Sequence, residues 1–225
     1  MRSSEVASEA IENYLKAIYS LSRESPTGEA GMKAIATLTG VTVGTASTMV
    51  KRMAGAKLAK YERFGGVRLT ARGERAAIDV QRRHRLIETF LVETLKLDWS
   101  IVHAEAERLE HAISSVVLEA LDIHLHHPSV DPHGDPIPGP DGKIRTERGA
   151  ALSTFAPGSK IRVARITDQG PAFLSFIAEH GLRPGTKAIV AATESAAQSI
   201  TVHASGYAAV TMAVAAAESI ICESA

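Results

Sequence analysis

The sequence has little cysteine, no long apolar run and no apolar signal core, and each lack excludes a class of protein. Cys222 is the single cysteine in 225 residues, which excludes an intramolecular disulfide and a thiolate-rich zinc site and suggests a reducing compartment. The longest apolar-leaning run, from Tyr207 to Ala217, falls well short of the ~20 residues that span a bilayer. The first ten residues, MRSSEVASEA, lack the apolar core of a secretory signal. We therefore expect a cytoplasmic protein.

Net charge is also lacking, because 25 basic residues balance 25 acidic ones. This balance argues against a uniformly basic nucleic-acid binder. The distribution is nevertheless uneven: from Gly40 to Arg75 there are eight basic residues and only two acidic ones. Since a phosphate responds to local charge, this segment is a candidate DNA footprint.

Motifs of catalysis are missing as well. The sequence has no HExxH pair, no Walker-type loop, no dinucleotide glycine pattern and no Ser–His or Cys–His nucleophile signal. A metallohydrolase would need an open metal position with a general base nearby. We expect that the protein is not an enzyme, and keep a metallohydrolase as one alternative.

The N-terminal third has the pattern of a winged helix. Apolar residues at three-and-four spacing predict a helix from Ser4 to Arg23, then a short one closed by Gly40. Thr42 is the predicted N-cap of a third helix. Two alternating runs around Phe64-Gly65-Gly66 predict a hairpin, after which Thr70 caps a long helix to about residue 96.

In a winged helix the third helix enters the major groove and the hairpin lies along the DNA backbone. Small hydroxyls and basic side chains on these elements suit phosphates and thymine methyls, and the scarcity of bidentate side chains favours shape readout. A winged helix used for protein contacts is the alternative. The predicted DNA-binding residues are Thr42, Thr45, Ser47, Thr48, Lys51, Arg52, Lys60, Arg63 and Arg68.

The segment from Gln81 to His111 carries two stripes of imidazole and carboxylate. On a helix, residues three and four apart share a face. Histidine and carboxylate without thiolate suit a divalent cation such as manganese or ferrous iron. The alternative is a set of solvated surface ion pairs. The stripes consist of His84, Glu88, His103, Glu107, Glu110 and His111.

The rest of the chain completes a mainly α fold with a small β part. A broad apolar face between Val102 and Leu121 predicts a dimer surface, and a Pro-, Gly- and Asp-rich stretch follows it. Short strand-like runs after Gly158 predict a small, partly open β-barrel; they are Lys160–Ile166, Thr186–Ala192, Ser199–His203 and Ile220–Cys222. We predict a winged-helix DNA-binding domain (1–74), a helical metal-binding and dimerisation domain (75–140), a linker (141–157) and a small β-barrel domain (158–225).

Together these features resemble the family of metal-dependent repressors that includes the diphtheria toxin repressor and the manganese-transport regulator. The resemblance extends over essentially the whole chain. It lies in the blocks ENYLKAIYSL, RRHRLIETFL, VHAEAERLEH, HGDPIPG and GLRPG. It implies an Src-homology-3-like C-terminal barrel and a homodimer that binds operator DNA when divalent metal is loaded and represses metal-uptake genes.

The resemblance also implies two metal ions per protomer. Manganese(II) is the first choice for these ions and iron(II) is the alternative. The ancillary site falls on His84, Glu88 and His103. The primary site falls on Glu107, Glu110 and His111, with Asn13 from the first helix. A carboxylate at Glu107 favours manganese over softer metals.

Several positions depart from the family pattern. Asn13 stands where relatives have methionine or aspartate, and Lys16 stands where some manganese regulators have a carboxylate. Gly170 and Phe173 occupy positions where the iron branch supplies a carboxylate and an amide. The proposed replacement donors are Asp131 and His133, or Asp168.

A regulator that senses a small organic ligand, with structural histidines and no metal dependence, is the further alternative. A chelator would leave its DNA binding unchanged.

Overall fold

The computed structural model describes residues 9–62, 65–144 and 149–225, which form two compact units. The first unit contains the described residues through Arg83, together with Glu110–Ala112 and Pro138–Lys143. The second contains His84–Leu109, Ile113–Ile137 and the described part of Ile144–Ala225.

The first unit is a winged helix. Its described elements are α1 (Glu9–Glu24), α2 (Met32–Leu38), α3 (Val43–Gly55), β1 (Ala59–Tyr61), β2 (Val67–Leu69) and the first part of α4 (Ala71–Glu93). The strands β1 and β2 pair antiparallel, with Lys60 opposite Arg68. The predicted order of three helices, hairpin and long helix is confirmed. The predicted start of the first helix at Ser4 and the Phe64 position of the hairpin turn lie outside the described residues.

Local capping explains where two of these helices begin. The Thr42 side chain accepts a hydrogen bond from the Thr45 backbone N–H, and Thr70 Oγ1 accepts one from Gly73 N at 3.1 Å. Each bond satisfies an amide of a first turn that has no partner within its helix. Both predicted caps are confirmed.

The apolar spacing of α1 places one face of the helix in the core. Ile11, Leu15 and Ile18 are buried there, together with Ile35 of α2 and Val50 of α3. The same face also buries Glu12, a charged residue among apolar neighbours. A buried carboxylate needs a cationic or hydrogen-bonding partner, and its partners are described below.

The second unit combines helices with one six-stranded sheet. Its helices are the remainder of α4, α5 (Val102–Leu109), α6 (Ser115–His124), α7 (Pro171–Glu179) and α8 (Val214–Ala217). Its strands are β3 (Ala150–Ala151), β4 (Lys160–Ile166), β5 (Lys187–Glu194), β6 (Ser199–Ala204), β7 (Val210–Ala213) and β8 (Ile220–Ser224).

The sheet is antiparallel throughout, in the order β3-β8-β4-β5-β6-β7. Its inward side chains, among them Ile161, Val163, Val190 and Val202, form an apolar core with Leu174 of α7. Within the described chain β3 and β7 are the two edge strands, so the strands form an open sheet rather than a closed barrel. The strand predicted from Lys160 to Ile166 is confirmed residue for residue.

The Pro- and Gly-rich segment before the sheet is packed, although its composition resembles a free linker. His133, Pro136 and Ile137 are buried, Arg85 Nη1 donates to Pro136 O at 2.6 Å, and Ile166 N donates to His133 O at 2.9 Å. Gly134 has φ +90°, and a Cβ there would collide with the Ala164 carbonyl. Only glycine therefore allows this loop to hold His133 against β4.

None of the helices formed by the described residues has the length and apolar character needed to cross a membrane.

Candidate metal centres

The second unit gathers five potential metal donors around one buried carboxylate, and we call His84, Glu88, His103, Asp131 and His133 the Glu88 cluster. Glu88 lies one turn after His84 on α4, and His103 comes from α5. Glu88 Oε1 is 2.9 Å from His84 Nε2 and 3.0 Å from His103 Nδ1, while the two ring nitrogens are 3.1 Å apart. The structure thus brings together the three residues of the predicted ancillary site.

The buried loop supplies the other two members. Asp131 Oδ1 accepts from the backbone N–H groups of His133 (2.8 Å) and Asp135 (3.0 Å), which fixes the carboxylate. One donor atom each from Glu88, Asp131 and His133 lie within 4.8 Å of one another, and all three residues are buried. Glu88 Oε2, Asp131 Oδ2 and His133 Nδ1 lack a hydrogen-bond partner among the described residues. Three such buried lone pairs are costly unless a cation shares them.

Trp99 holds His133 in a defined orientation. His133 Nε2 donates to the Trp99 carbonyl at 2.9 Å, so in the neutral ring Nδ1 carries the lone pair. The two rings stack with centroids 5.4 Å apart, and the Arg183 guanidinium lies 4.8 Å above the Trp99 ring. A backbone carbonyl on the far nitrogen is the arrangement that orients metal-ligating histidines.

The surroundings of the Glu88 cluster shift the pKa values of two carboxyl groups in opposite directions. Burial raises the pKa of Glu88, but the imidazoles of His84, His103 and His133 outweigh burial and hold that pKa well below its usual range. Burial, followed by the charges of Asp135 and Glu88, raises the pKa of Asp131 well above its usual range. The surroundings therefore favour the charge of Glu88 and disfavour the charge of Asp131.

Two further predicted donors lie at the margin of the second unit. Glu107 is partly exposed, and its Oε1 is 3.9 Å from His84 Nδ1 and 3.9 Å from His103 Nε2. Asp168 is exposed, and its Oδ1 accepts from Gly170 N at 2.9 Å. The prediction groups Glu107 with Glu110 and His111, which belong to the first unit.

The first unit contains a second group of donors together with two cationic side chains. We call Glu12, Asn13, Lys16, Arg83, Glu110 and His111 the His111 cluster. His111 Nδ1 is 2.6 Å from Glu12 Oε2, and Arg83 Nη2 donates to Glu12 Oε1 at 3.1 Å. Glu12 therefore fixes the tautomer of His111, and Arg83 fixes Glu12. His111 Nε2 lies 3.4 Å from Glu110 Oε1 and, like Asn13 Oδ1, is buried without a hydrogen-bond partner among the described residues.

Glu110 is fully buried and faces a cation from α1. Lys16 Nζ donates to Glu110 Oε1 at 2.8 Å and to Oε2 at 3.0 Å, and Arg83 Nη1 donates to the Glu110 carbonyl at 3.0 Å. Sequence reasoning did not identify Glu12 or Arg83. The signal for Glu12 was its position within the apolar spacing of α1, beside Leu15 and Tyr19.

The predicted DNA-binding residues that the structure describes are exposed or partly exposed on α3, at its N-cap and on the hairpin. Several make local bonds: Thr48 Oγ1 donates to Gly44 O, and Arg68 donates to Glu29 Oε1 at 2.8 Å. The bond from Arg68 lowers the pKa of Glu29. Arg63 lies outside the described residues.

Three family models match consecutive parts of the chain. They are the iron-dependent repressor N-terminal DNA-binding domain (residues 7–67), the iron-dependent repressor metal-binding and dimerisation domain (70–139) and the FeoA domain (150–223). The last corresponds to the range of the six-stranded sheet.

Relatives agree with these models. The iron-dependent repressor IdeR of Mycobacterium leprae is 36% identical over 160 residues, which is 68% of each chain. The transcriptional regulator MntR of Escherichia coli O6:H1 is 37% identical over 112 residues, which is 50% of this chain and 70% of that one.

A solved structure extends the likeness to nearly the full length. It is a manganese-dependent transcriptional repressor in complex with manganese, 37% identical, with a TM-score of 0.87 over 96% of this chain and 100% of that one. These relatives are regulators rather than enzymes. The chain belongs to the family of metal-dependent transcriptional repressors that includes the iron-dependent repressor IdeR and the manganese regulator MntR.

Proposed function

We propose that this protein is a transcriptional repressor that divalent metal activates, and that it binds operator DNA as a homodimer and represses metal-uptake genes. The observation that carries the proposal is the set of three buried lone pairs on Glu88, Asp131 and His133. A divalent cation would satisfy all three at once, whereas the described residues provide none of them with a hydrogen-bond partner.

We propose manganese(II) as the activating ion, with iron(II) as the second choice. The donors of both clusters are carboxylate, imidazole and amide groups without a thiolate, and such hard-to-intermediate donors suit manganese. The chain's one cysteine, Cys222, is buried in the core of the second unit, where burial raises the pKa of its thiol to about 12. A thiolate is therefore not available from it at neutral pH.

We propose two ions per protomer. Glu88, Asp131 and His133 would hold one, with His84 and His103 beside them. Glu110, His111 and Asn13 would hold the other, and Glu12 would orient His111 rather than bind the ion. In each case the bound ion would supply positive charge to buried carboxylates and accept lone pairs from imidazole or amide groups beside them.

The chain's own residues suggest how metal loading reaches the DNA. Helix α4 belongs to both units: Ala71–Arg83 lies in the first, and His84 and Glu88 lie in the second. We propose that a filled Glu88 cluster orders this helix and with it the wing that precedes it. Because such coupling is reciprocal, operator DNA should tighten metal binding by the same factor by which metal tightens DNA binding.

A homodimer is supported by the apolar surface of α6. Val116, Val117 and Ile123 are among the most exposed large apolar side chains of the described residues, at 76%, 49% and 58%. The matched family model names this region a dimerisation domain. We propose that a second copy of the chain covers this surface.

The test uses Trp99, the one tryptophan in the sequence, which stacks on His133. Chelator-stripped protein is titrated with manganese(II) while tryptophan fluorescence is recorded. Because the paramagnetic ion would lie beside His133, we expect saturable quenching, which is lost in His133→Ala. The control is His203→Ala, which removes an exposed histidine of β6. Equal quenching in parent and His133→Ala would contradict the assignment.

A further inference from the structure

The ammonium group of Lys16 forms an ion pair with the carboxylate of Glu110, a proposed metal ligand. It contacts both oxygens of Glu110, at 2.8 and 3.0 Å. The Glu110 side chain is 0% exposed, and that of Lys16 is 17% exposed. A buried carboxylate without a cation would be strongly destabilising, so this pair supports the metal-free fold.

Lys16 also neighbours the other donors of the His111 cluster. It follows Asn13 by three residues on α1, so both side chains lie on the same face of the helix. Asn13 Oδ1 and His111 Nε2 are buried without hydrogen-bond partners among the described residues. The cluster thus offers two open lone pairs beside a carboxylate that a cation of the chain itself already engages.

We propose that Lys16 is a tethered cation that neutralises Glu110 until a divalent ion displaces it, and so sets the metal concentration at which the His111 cluster loads. The proposal rests on the proposed function, because it takes Glu110 and His111 as metal donors.

Repulsion between the divalent ion and the Lys16 ammonium explains why the ion must displace Lys16 from Glu110. An ion held by Glu110, His111 and Asn13 would lie within a few ångströms of the Lys16 ammonium, and like charges repel strongly at such distances in a buried setting. Since Lys16 is attached to the same helix as Asn13, its local concentration stays high whatever the solution contains. Metal binding at this cluster must therefore overcome an internal competitor. At the Glu88 cluster the Arg85 guanidinium stays farther from its carboxylate, with Nε 3.8 Å from Asp131 Oδ2.

The test compares Lys16→Met with Lys33→Met, which removes an exposed lysine of α2. Both are made in a Glu88→Gln background, which removes the carboxylate shared by the donors of the other cluster. Free manganese(II) is counted by its electron paramagnetic resonance signal during titration of the full chain. We expect Lys16→Met to tighten manganese binding by at least about tenfold, since the Lys16 ammonium no longer competes with the ion for the buried Glu110 carboxylate. Lys33→Met should match its parent.

Thermal unfolding gives a second readout. Metal-free Lys16→Met should unfold at a lower temperature than its parent, and saturating manganese should restore it. If Lys16→Met does not fold without metal, Lys16→Gln retains a hydrogen-bond donor to Glu110 without the charge and should also bind manganese more tightly.

The outcomes separate two kinds of failure. Unchanged or weaker manganese binding in Lys16→Met and Lys16→Gln, with binding still lost in His111→Ala, would overturn the role of Lys16 alone. Manganese binding that survives His111→Ala would overturn the metal site itself.

Discussion

The two donor clusters use the same kinds of side chain but differ in how closely a cation approaches their carboxylates. Arg85 Nε stays 3.8 Å from Asp131 Oδ2, whereas Lys16 Nζ lies 2.8 Å from Glu110 Oε1. In the Glu88 cluster, three buried donor atoms have no hydrogen-bond partner in the part of the chain that the structure describes, and the pKa of Asp131 is raised by burial and by neighbouring carboxylates. In the His111 cluster, Arg83 pairs with Glu12 and Lys16 pairs with Glu110. The comparison teaches that donor identity alone does not define a metal site. What matters is whether the chain already supplies the balancing charge.

The largest effect is expected from Glu88→Gln. Glu88 is shared by the imidazole pair and by the loop donors, so its loss removes charge from every combination of ligands in the cluster. We expect manganese affinity at this site to fall by at least about 100-fold, beyond the range typical of residues that only orient a ligand. Calorimetric titration measures it, with exposed Glu179→Gln as the control. Similar affinities in the two variants would mean that Glu88 is not a ligand.

Glu12→Gln should have an intermediate effect on the His111 cluster. Glu12 accepts from His111 Nδ1, which leaves Nε2 with its lone pair, and a neutral amide holds that tautomer less firmly. Manganese affinity at this cluster should fall roughly tenfold, as for other residues that orient metal-ligating histidines. The matched control is Glu9→Gln, an exposed glutamate on the same helix. A loss as large as that of His111→Ala would instead make Glu12 a direct ligand.

Asp131→Asn should separate metal affinity from stability. The variant keeps an Oδ1 acceptor for the two backbone N–H groups but removes a buried carboxylate. Because the folded-state pKa of Asp131 is raised, the folded parent binds its proton more tightly than the unfolded chain. The stability gained from that proton is present at low pH and is lost as pH rises from the unfolded pKa toward the folded one.

Metal-free Asp131→Asn should therefore become progressively more stable relative to its parent as pH rises, while its manganese affinity falls about tenfold. Thermal unfolding across pH, with and without manganese, measures both. If the parent gained stability over Asp131→Asn with rising pH, the pKa of Asp131 would not be raised in the folded state.

The smallest expected effect is on the salt dependence of DNA binding in Lys51→Ala. Lys51 is exposed on α3, and as a phosphate contact it should contribute one released counterion. In Lys51→Ala, the slope of log affinity against log salt on duplex DNA with manganese should decrease by about 1. Lys187→Ala, an exposed lysine of β5, is the control. An unchanged slope would mean that Lys51 of α3 does not contact a DNA phosphate.

Local features were predictable from sequence because they depend on neighbouring residues. The caps at Thr42 and Thr70 follow from hydroxyl chemistry at a helix start, and the His84–Glu88 pair follows from helical periodicity. The strand at Lys160–Ile166 follows from alternation. Each of these required no knowledge of the remaining chain.

Contacts between distant segments were not predictable in the same way. Glu12 meets His111 across 99 positions and Lys16 meets Glu110 across 94. No periodicity connects such residues. Strands β3 and β7 were missed because they are two and four residues long, and their pairing with β8 and β6 defines them rather than their composition. The domain boundaries and the ligand sets stay predictions.

Divalent metal should control DNA binding, and selection from a random duplex library measures this control. Chelator-stripped protein is incubated with the library with manganese(II), with iron(II) under anaerobic conditions, or with chelator alone, and bound DNA is sequenced. Our account predicts enrichment of a two-fold symmetric sequence with manganese or iron and none with chelator, since two recognition helices of a dimer read two half-sites. Equal enrichment of the same sequence in chelator would contradict it.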